Sequence, residues 1–337
     1  MQTRKVQLSG GTTYTVSLPK SWATEHGIAS GSELTLHPND DGSLLVEPSE
    51  DIELDDRQAT VDVSNYDRET VGELIRAGYT VGVDALTLVD RTGHSLERQQ
   101  AIEEVLGGLS GFEVMETTDT RVRITSLVDA DNVDIRKSTL RLRLVMLAMH
   151  RDAVTAVRER DEALARRLIR RDHEADKLFA MVTRHYRRSL SNLHEVAKLE
   201  RSRDELFEYY YTARQLERVA DHAEKIARLA LDPGVGVPDC YDDRIAALGK
   251  RARGVVDDAA DVVLEGADVE TAVAALEAGD EVVADIESFD RDLYCHGDTT
   301  EAGCLGLLLD SLRRTADYGV NVAEVALEQE IRTDTDR

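Results

Sequence analysis

Carboxylates spaced four residues apart are the side chains of this sequence with the clearest capacity for chemistry. Asp172 and Asp176 form one pair, and Glu217 and Asp221 a second, with Glu224 one turn further on. Glu281 and Asp285 form a third, and Asp317, Asn321 and Glu324 make a fourth acidic face. Side chains at i and i+4 share one helix face, with Cβ atoms about 6 Å apart. Two such pairs on facing helices surround a hard cation with oxygen ligands alone, a set that suits magnesium or manganese. In a chain with 66 acidic residues a single pair is as readily a solvated face. Four faces in register with a repeat are harder to assign to solvent. His173 and His222 adjoin these carboxylates, although hard-cation sites favour oxygen.

The repeat that carries them is internal. Leu216 to Leu231 and Leu312 to Leu327 lie 96 residues apart and share seven of sixteen positions, the central Asp included. Self-similarity at a fixed offset fixes architecture ahead of any single residue. The copies differ at one ligand position, where Arg313 stands in place of Glu217. A guanidinium offers no lone pair to a metal and repels one.

From about residue 132 the hydrophobic period is 3.6. Helices are expected from Asp134 to about Arg160, with Leu140, Leu144, Leu147 and Ala148 on the apolar face, then from Asp161 to about Ser189 and from Asp204 to Leu231. After the break Asp232 to Pro238, further helices are expected from Asp242 to Gly266, Val269 to about Tyr294, and Ala302 to Glu330. The expected architecture is two tandem three-helix bundles, residues 132–231 and 240–330.

Residues 58–129 read as a small α/β domain. Strands are expected at Ala59–Val63, Ala85–Val89, Phe112–Thr117 and Arg121–Leu127. A helix runs from its N-cap Asp67 to a stop at Gly78, and another from Ser95 to Leu109. That order suggests a ferredoxin-like sandwich. The stretch holds no phosphate loop or catalytic motif. The polar, acidic residues 49–58 before it read as a linker.

Residues 3–48 read as a β module. Val6, Leu8, Tyr14, Val16 and Leu18 alternate with polar residues about a Ser9-Gly10-Gly11-Thr12 turn. A short helix follows from Lys20 to His26, capped by Ser17 or its neighbour and ended by Gly27. A second strand pair, Glu33 to His37 and Leu44 to Glu47, flanks a turn at Asn39 to Ser43. So short a unit usually needs a partner to complete a core. Residues 1–24 hold Arg4, Lys5 and Lys20 but no carboxylate, the first being Glu25. A segment without carboxylates in an acidic chain suits a phosphate backbone.

Two resemblances follow from these residues. The motif Leu216 to Ile226, its second copy and the paired carboxylates resemble the PhoU family of phosphate-uptake regulators over about residues 132–330. That resemblance implies multinuclear iron or zinc clusters on the paired carboxylate faces. It also implies signalling of phosphate sufficiency through a phosphate ABC transporter and a sensor kinase. Tyr14 to Leu18, Leu18-Pro19-Lys20, Gly27-Ile28, Gly31 to Leu34 and Asp41 to Leu44 resemble the AbrB/MazE/SpoVT swapped-hairpin family. This second resemblance implies a homodimer with its first hairpin on DNA, which makes Arg4, Lys5, Thr12, Thr13 and Lys20 the candidate contacts. A dimerisation role alone is the alternative, in a regulatory subunit of a transporter or channel.

Composition bounds the rest. The formal charge is −25, and only seven of the 41 basic residues are lysines. An acidic, arginine-rich surface looks like that of a protein from a salt-loving cell. Against that background, Arg136 to Arg188 holds fifteen Lys and Arg against seven acids. This stretch is either a face paired with the acidic second bundle or a docking surface for an acidic partner. Cys240, Cys295 and Cys304 lack metal or disulfide spacing. No apolar run approaches the roughly 20 residues of a membrane span, and Met1 to Lys5 lacks a signal core. A cytoplasmic, non-catalytic regulator is the expectation.

Overall fold

A computed structural model describes residues 3–38, 42, 44–48, 57–128, 133–232, 236–296 and 299–335. The chain forms two compact units, Met1–Arg57 and Gln58–Arg337. Residues 49–56 of the expected 49–58 linker, most of the Asn39 to Ser43 turn and Pro233 to Val235 lie outside the described residues.

The first unit holds strands β1 (Gln7–Ser9) and β2 (Thr13–Thr15), helix α1 (Lys20–Glu25), and strands β3 (Leu34–Pro38) and β4 (Leu44–Pro48). Each strand pair is an antiparallel hairpin, and the two hairpins form separate two-stranded sheets. Gly10 and Gly11 turn the first at φ of +63° and +82°, a region that L side chains avoid. Pro19, rather than Ser17, precedes α1, and no side chain caps it. Pro tolerates this place because its missing N–H has no partner there anyway. No described residue of this unit is buried, and Val6, Leu8, Tyr14 and Val16 are each more than half exposed.

The second unit opens with β5 (Gln58–Asp62), α2 (Arg68–Val81), β6 (Ala85–Val89), α3 (Leu96–Gly107), β7 (Phe112–Thr117) and β8 (Arg121–Ser126). The sheet runs β5-β6-β8-β7. This is not the ferredoxin-like arrangement. There a third strand splits the βαβ unit, whereas here β5 and β6 pair directly and in parallel. The β7–β8 hairpin adds antiparallel beside β6. Asp67 caps α2 by accepting from the Thr70 N–H, and Ser95 caps α3 through the Arg98 N–H. Gly78 does not end α2, because Val71, Ile75 and Tyr79 continue one buried face past it. The helix stops at Gly82, at φ +90°.

The helical part comprises α4 (Ile135–Glu159), α5 (Glu162–Ser189), the short α6 (Leu193–Leu199), α7 (Arg203–Leu229), α8 (Asp239–Glu265), α9 (Val269–His296) and α10 (Thr299–Thr335). Asp134 and Asp161 cap α4 and α5 as their positions suggest. Ser202 with Glu205 forms a capping box that starts α7 slightly ahead of Asp204. On α4 the buried stripe is Leu142, Val145, Met146, Met149 and Ala153, with Leu140 and Leu147 at its margin. Leu144 points to solvent at 66% exposure, contrary to the sequence reading. Helices α4, α5 and α7 pack together, as do α8, α9 and α10. The two sets also meet along α7–α10 and α4–α8, and one continuous core runs through both. Gly319 of α10 makes part of that contact possible within the second set. A Cβ there would stand 2.8 Å from both the Val255 side chain and the Val256 nitrogen of α8.

Candidate metal centre

Asp172 and Asp176 project from one face of α5, and Asp221 meets them from α7. One carboxylate oxygen of each lies within 4.8 Å of the other two. Among the described residues this is the one such convergence of three candidate ligands. Glu217, a turn before Asp221, is mostly buried beside them, and Arg214 (3.6 Å) and Arg218 (4.0 Å) flank its Oε2. Arg218 also reaches Asp221 at 3.6 Å. Asp172 Oδ1 and Glu217 Oε2 are buried and accept no hydrogen bond. Orphaned buried oxygens are costly unless a partner completes them.

The electrostatics agree. Burial first, then the Asp176, Glu224 and Asp221 carboxylates, pushes Asp172 up to about 7. Burial and Asp221 push Glu217 up to about 7 against the pull of Arg214 and Arg218. Asp176 and Asp221 are raised too, chiefly by burial. Like charges held this close are stable together only when protonated or bridged by a cation. The donor set is oxygen alone, which suits a hard cation better than zinc. His222 takes no part. Its Nδ1 lies 3.2 Å from Ser311 Oγ on α10, and burial holds the ring down at about 4.

A pH dependence follows. A carboxyl raised in the folded state favours folding while it is protonated. That advantage is lost as pH climbs from the ordinary 3.8 through about 7. In metal-free protein, Asp172→Asn is therefore expected to be more stable than the parent at pH 8. We expect about 1.5 kcal/mol after allowance for solvent screening, or about 2–3 °C in Tm, shrinking towards zero near pH 4. Thermal melts in chelator at the two pH values check this, and an equal effect at both would contradict it.

Of the remaining candidate ligands only Glu224 lies near enough to raise Asp172, and it is already engaged. Glu224 accepts from Arg228 at 2.6 Å. In the second set Arg251 of α8 binds both members of the α9 pair, Glu281 at 3.6 Å and Asp285 more closely. A guanidinium thus stands where a cation would, but it is not that of Arg313, which turns back to Asp310 at 3.5 Å. Asp317 pairs with Arg314 at 3.7 Å, and Glu324 is exposed. Arg251 escapes a reading by motif because it comes from the helix before the pair.

The basic stretch also finds partners. Arg143 binds Asp257, Asp261 and Glu265 along α8, and Arg158 binds Asp242. Arg184, Arg188 and Lys177 reach backbone oxygens of the α/β layer at Tyr79, Gly82 and Gly107. In the first unit, Arg4, Lys5, Thr12, Thr13 and Lys20 are all exposed, with Thr12 in the β1–β2 turn and Thr13 opening β2.

A family model described as the PhoU domain matches residues 139–230, from α4 through α7, and so contains Asp172, Asp176, Glu217 and Asp221. Over these helices the chain is similar to a PhoU domain. The match ends with α7, leaving the second helical set and its Arg251 outside it. A second model, "Antidote-toxin recognition MazE, bacterial antitoxin", matches residues 7–53. No curated protein matches the chain. Among solved structures the chain is similar to PhoU from Pseudomonas aeruginosa. Identity is 20% and the TM-score 0.47, over 59% of this chain and 96% of that one. It is also similar to the phosphate transport system regulatory protein PhoU from Streptococcus pneumoniae. There identity is 16% and the TM-score 0.47, over 58% and 93%. No helix among the described residues is long and apolar enough to cross a membrane.

Proposed function

We propose that this chain is a phosphate-responsive regulator of phosphate uptake and transcription. It holds a hard cation on the Asp172, Asp176 and Asp221 carboxylates of its PhoU domain and contacts DNA through its N-terminal module. The observation that carries this reading is the convergence of those three carboxylates, with a bare buried oxygen among them, inside the PhoU domain. Its signalling partners are a phosphate transporter and a sensor kinase, its place is the cytoplasm, and its role is regulatory rather than catalytic.

The N-terminal module works as a homodimer. Two hairpins with no buried residue among those described, and a row of exposed Val6, Leu8, Tyr14 and Val16, need a second copy to make a core. Arg4, Lys5 and Lys20, with the hydroxyls of Thr12 and Thr13, lie on the DNA face. Three cations make a thin electrostatic footprint, and multimolar salt weakens counterion release further. That thinness favours, as second reading, a module that only dimerises. An electrophoretic shift on the protein's own upstream region in multimolar KCl separates them. We expect a shift that a triple Ala variant of Arg4, Lys5 and Lys20 weakens by about tenfold or more. A dimer without any shift would leave only the second reading.

A further inference from the structure

A cleft of about 1200 Å³ opens between α2 and α3 of the α/β layer and α5 and α7 of the PhoU domain. It is large for inorganic phosphate and of a size for a nucleotide. Three residues on one stripe of α5 line it a turn apart, Phe179, Thr183 and Arg187. The Thr183 side chain is 7% exposed, and its hydroxyl has no hydrogen-bond partner. A buried hydroxyl left so is costly, and a ligand oxygen would relieve it. Arg187, exposed in the cleft wall, makes no ion pair or hydrogen bond among the described residues.

The neighbouring charges are largely engaged. Glu73 is paired with Arg76 at 2.7 Å and Glu104 with Arg68, which leaves Glu69 and Asp176 as the other carboxylates of the lining. Part of the lining on the α5 and α7 side is aromatic. Phe179 stacks on Tyr210 of α7 at 6.2 Å and 22°, and Arg214 lies 5.3 Å over the Phe179 ring.

We propose that this cleft binds a nucleoside phosphate. The phosphate is held by the Arg187 guanidinium and the Thr183 hydroxyl, and the base lies against the Phe179–Tyr210 wall. Guanidinium and hydroxyl are donors suited to phosphate oxygens, and since Arg214 and Tyr186 extend the Phe179–Tyr210 stack, the base meets this wall at the ring edges or by displacing Arg214 from Phe179. The site gives the α/β layer a role that its sequence does not disclose, since α2 and α3 form one wall. Asp176 lines the same cleft, so a cation on the carboxylate cluster would stand beside the phosphate. The inference itself does not depend on that cation.

Isothermal titration of the full chain in multimolar KCl tests it, with AMP, ATP and inorganic phosphate as probes, once in EDTA and once with magnesium. We expect AMP or ATP to bind in EDTA, and inorganic phosphate to bind at least about tenfold more weakly than the nucleotide. Thr183→Val and Arg187→Ala, confirmed as folded by circular dichroism, are each expected to weaken the nucleotide by about tenfold or more. Three results would overturn the proposal: no heat from either nucleotide in EDTA, affinity unchanged in both variants, or inorganic phosphate bound as tightly as the nucleotides. Loss of the metal reading would appear separately, as an absence of metal in elemental analysis, and would leave the EDTA titration as it stands.

Discussion

Replacing Asp172 and Asp221 together by Ala is expected to take the protein from about one bound metal ion per chain, or more, to below about a tenth. The corresponding change in the second helical set, Glu281→Ala with Asp285→Ala, is expected to leave the content as it was. The contrast rests on what each pair faces. Asp172 and Asp176 face a third carboxylate across the α5–α7 contact, and together the three offer converging oxygens to a cation. Glu281 and Asp285 face Arg251, whose charge already answers theirs. Neutral replacements in the first set also relieve burial and like-charge crowding. The apo variant should therefore fold, and loss of metal will not be a by-product of unfolding. Elemental analysis of chelator-free protein, with circular dichroism on the same samples, reads both quantities. Metal retained in the first variant, or stripped in the second, would put the ion elsewhere.

The sequence discloses this site in part, and the division has a physical cause. Asp134 and Asp161 announce helix starts because an N-cap side chain bonds within its own turn, so its information is local. The α5–α7 facing of Asp172 and Asp221 is legible because the internal repeat fixes which helices belong together. What fills an acidic pair is not local. Arg251 reaches Glu281 and Asp285 from α8, thirty residues upstream of the nearer one, and only helix packing brings it there. Element order likewise leaves strand order open, so that the β7–β8 hairpin joins the sheet beside β6 instead of splitting the βαβ unit. Leu144 shows the limit of periodicity. An arginine-rich helix with a broad apolar stripe leaves its phase uncertain by a residue or two, and the buried face lies at Leu142, Val145 and Met146.

The basic stretch pairs with the second helical set through Arg143 and Arg158, as one of its two sequence readings has it, but it also holds the α/β layer, and there Arg188 carries the second large effect. Its Nε donates to Glu195 Oε2 at 2.9 Å, and its Nη1 donates to the Gly82 carbonyl at 3.0 Å and to Asp84. One guanidinium thus joins α5, α6 and the α2–β6 turn of the α/β layer. Glu195 is 3% exposed and otherwise has His185, whose Nδ1 lies 2.6 Å from Oε1. Arg188→Ala leaves that buried carboxylate half-answered, takes a donor from the Gly82 carbonyl, and leaves Asp84 with the more distant Arg184 at 3.8 Å. Removing one partner of a buried ion pair costs about 3–5 kcal/mol. Lys is not expected to rescue it, because a single ammonium cannot span acceptors on three elements as a planar fork does. The neighbouring Arg184, which donates to the Tyr79 carbonyl at 2.9 Å and lies 5.0 Å over the Tyr79 ring, keeps part of the contact. The loss should therefore be local as well as global. Urea unfolding is expected to show a drop of about 3 kcal/mol or more. Hydrogen exchange should quicken most at residues 79–84 and around Glu195. A change under about 1 kcal/mol, or exchange that quickens evenly through the chain, would mean that the α/β layer is held by apolar packing and not by this arginine.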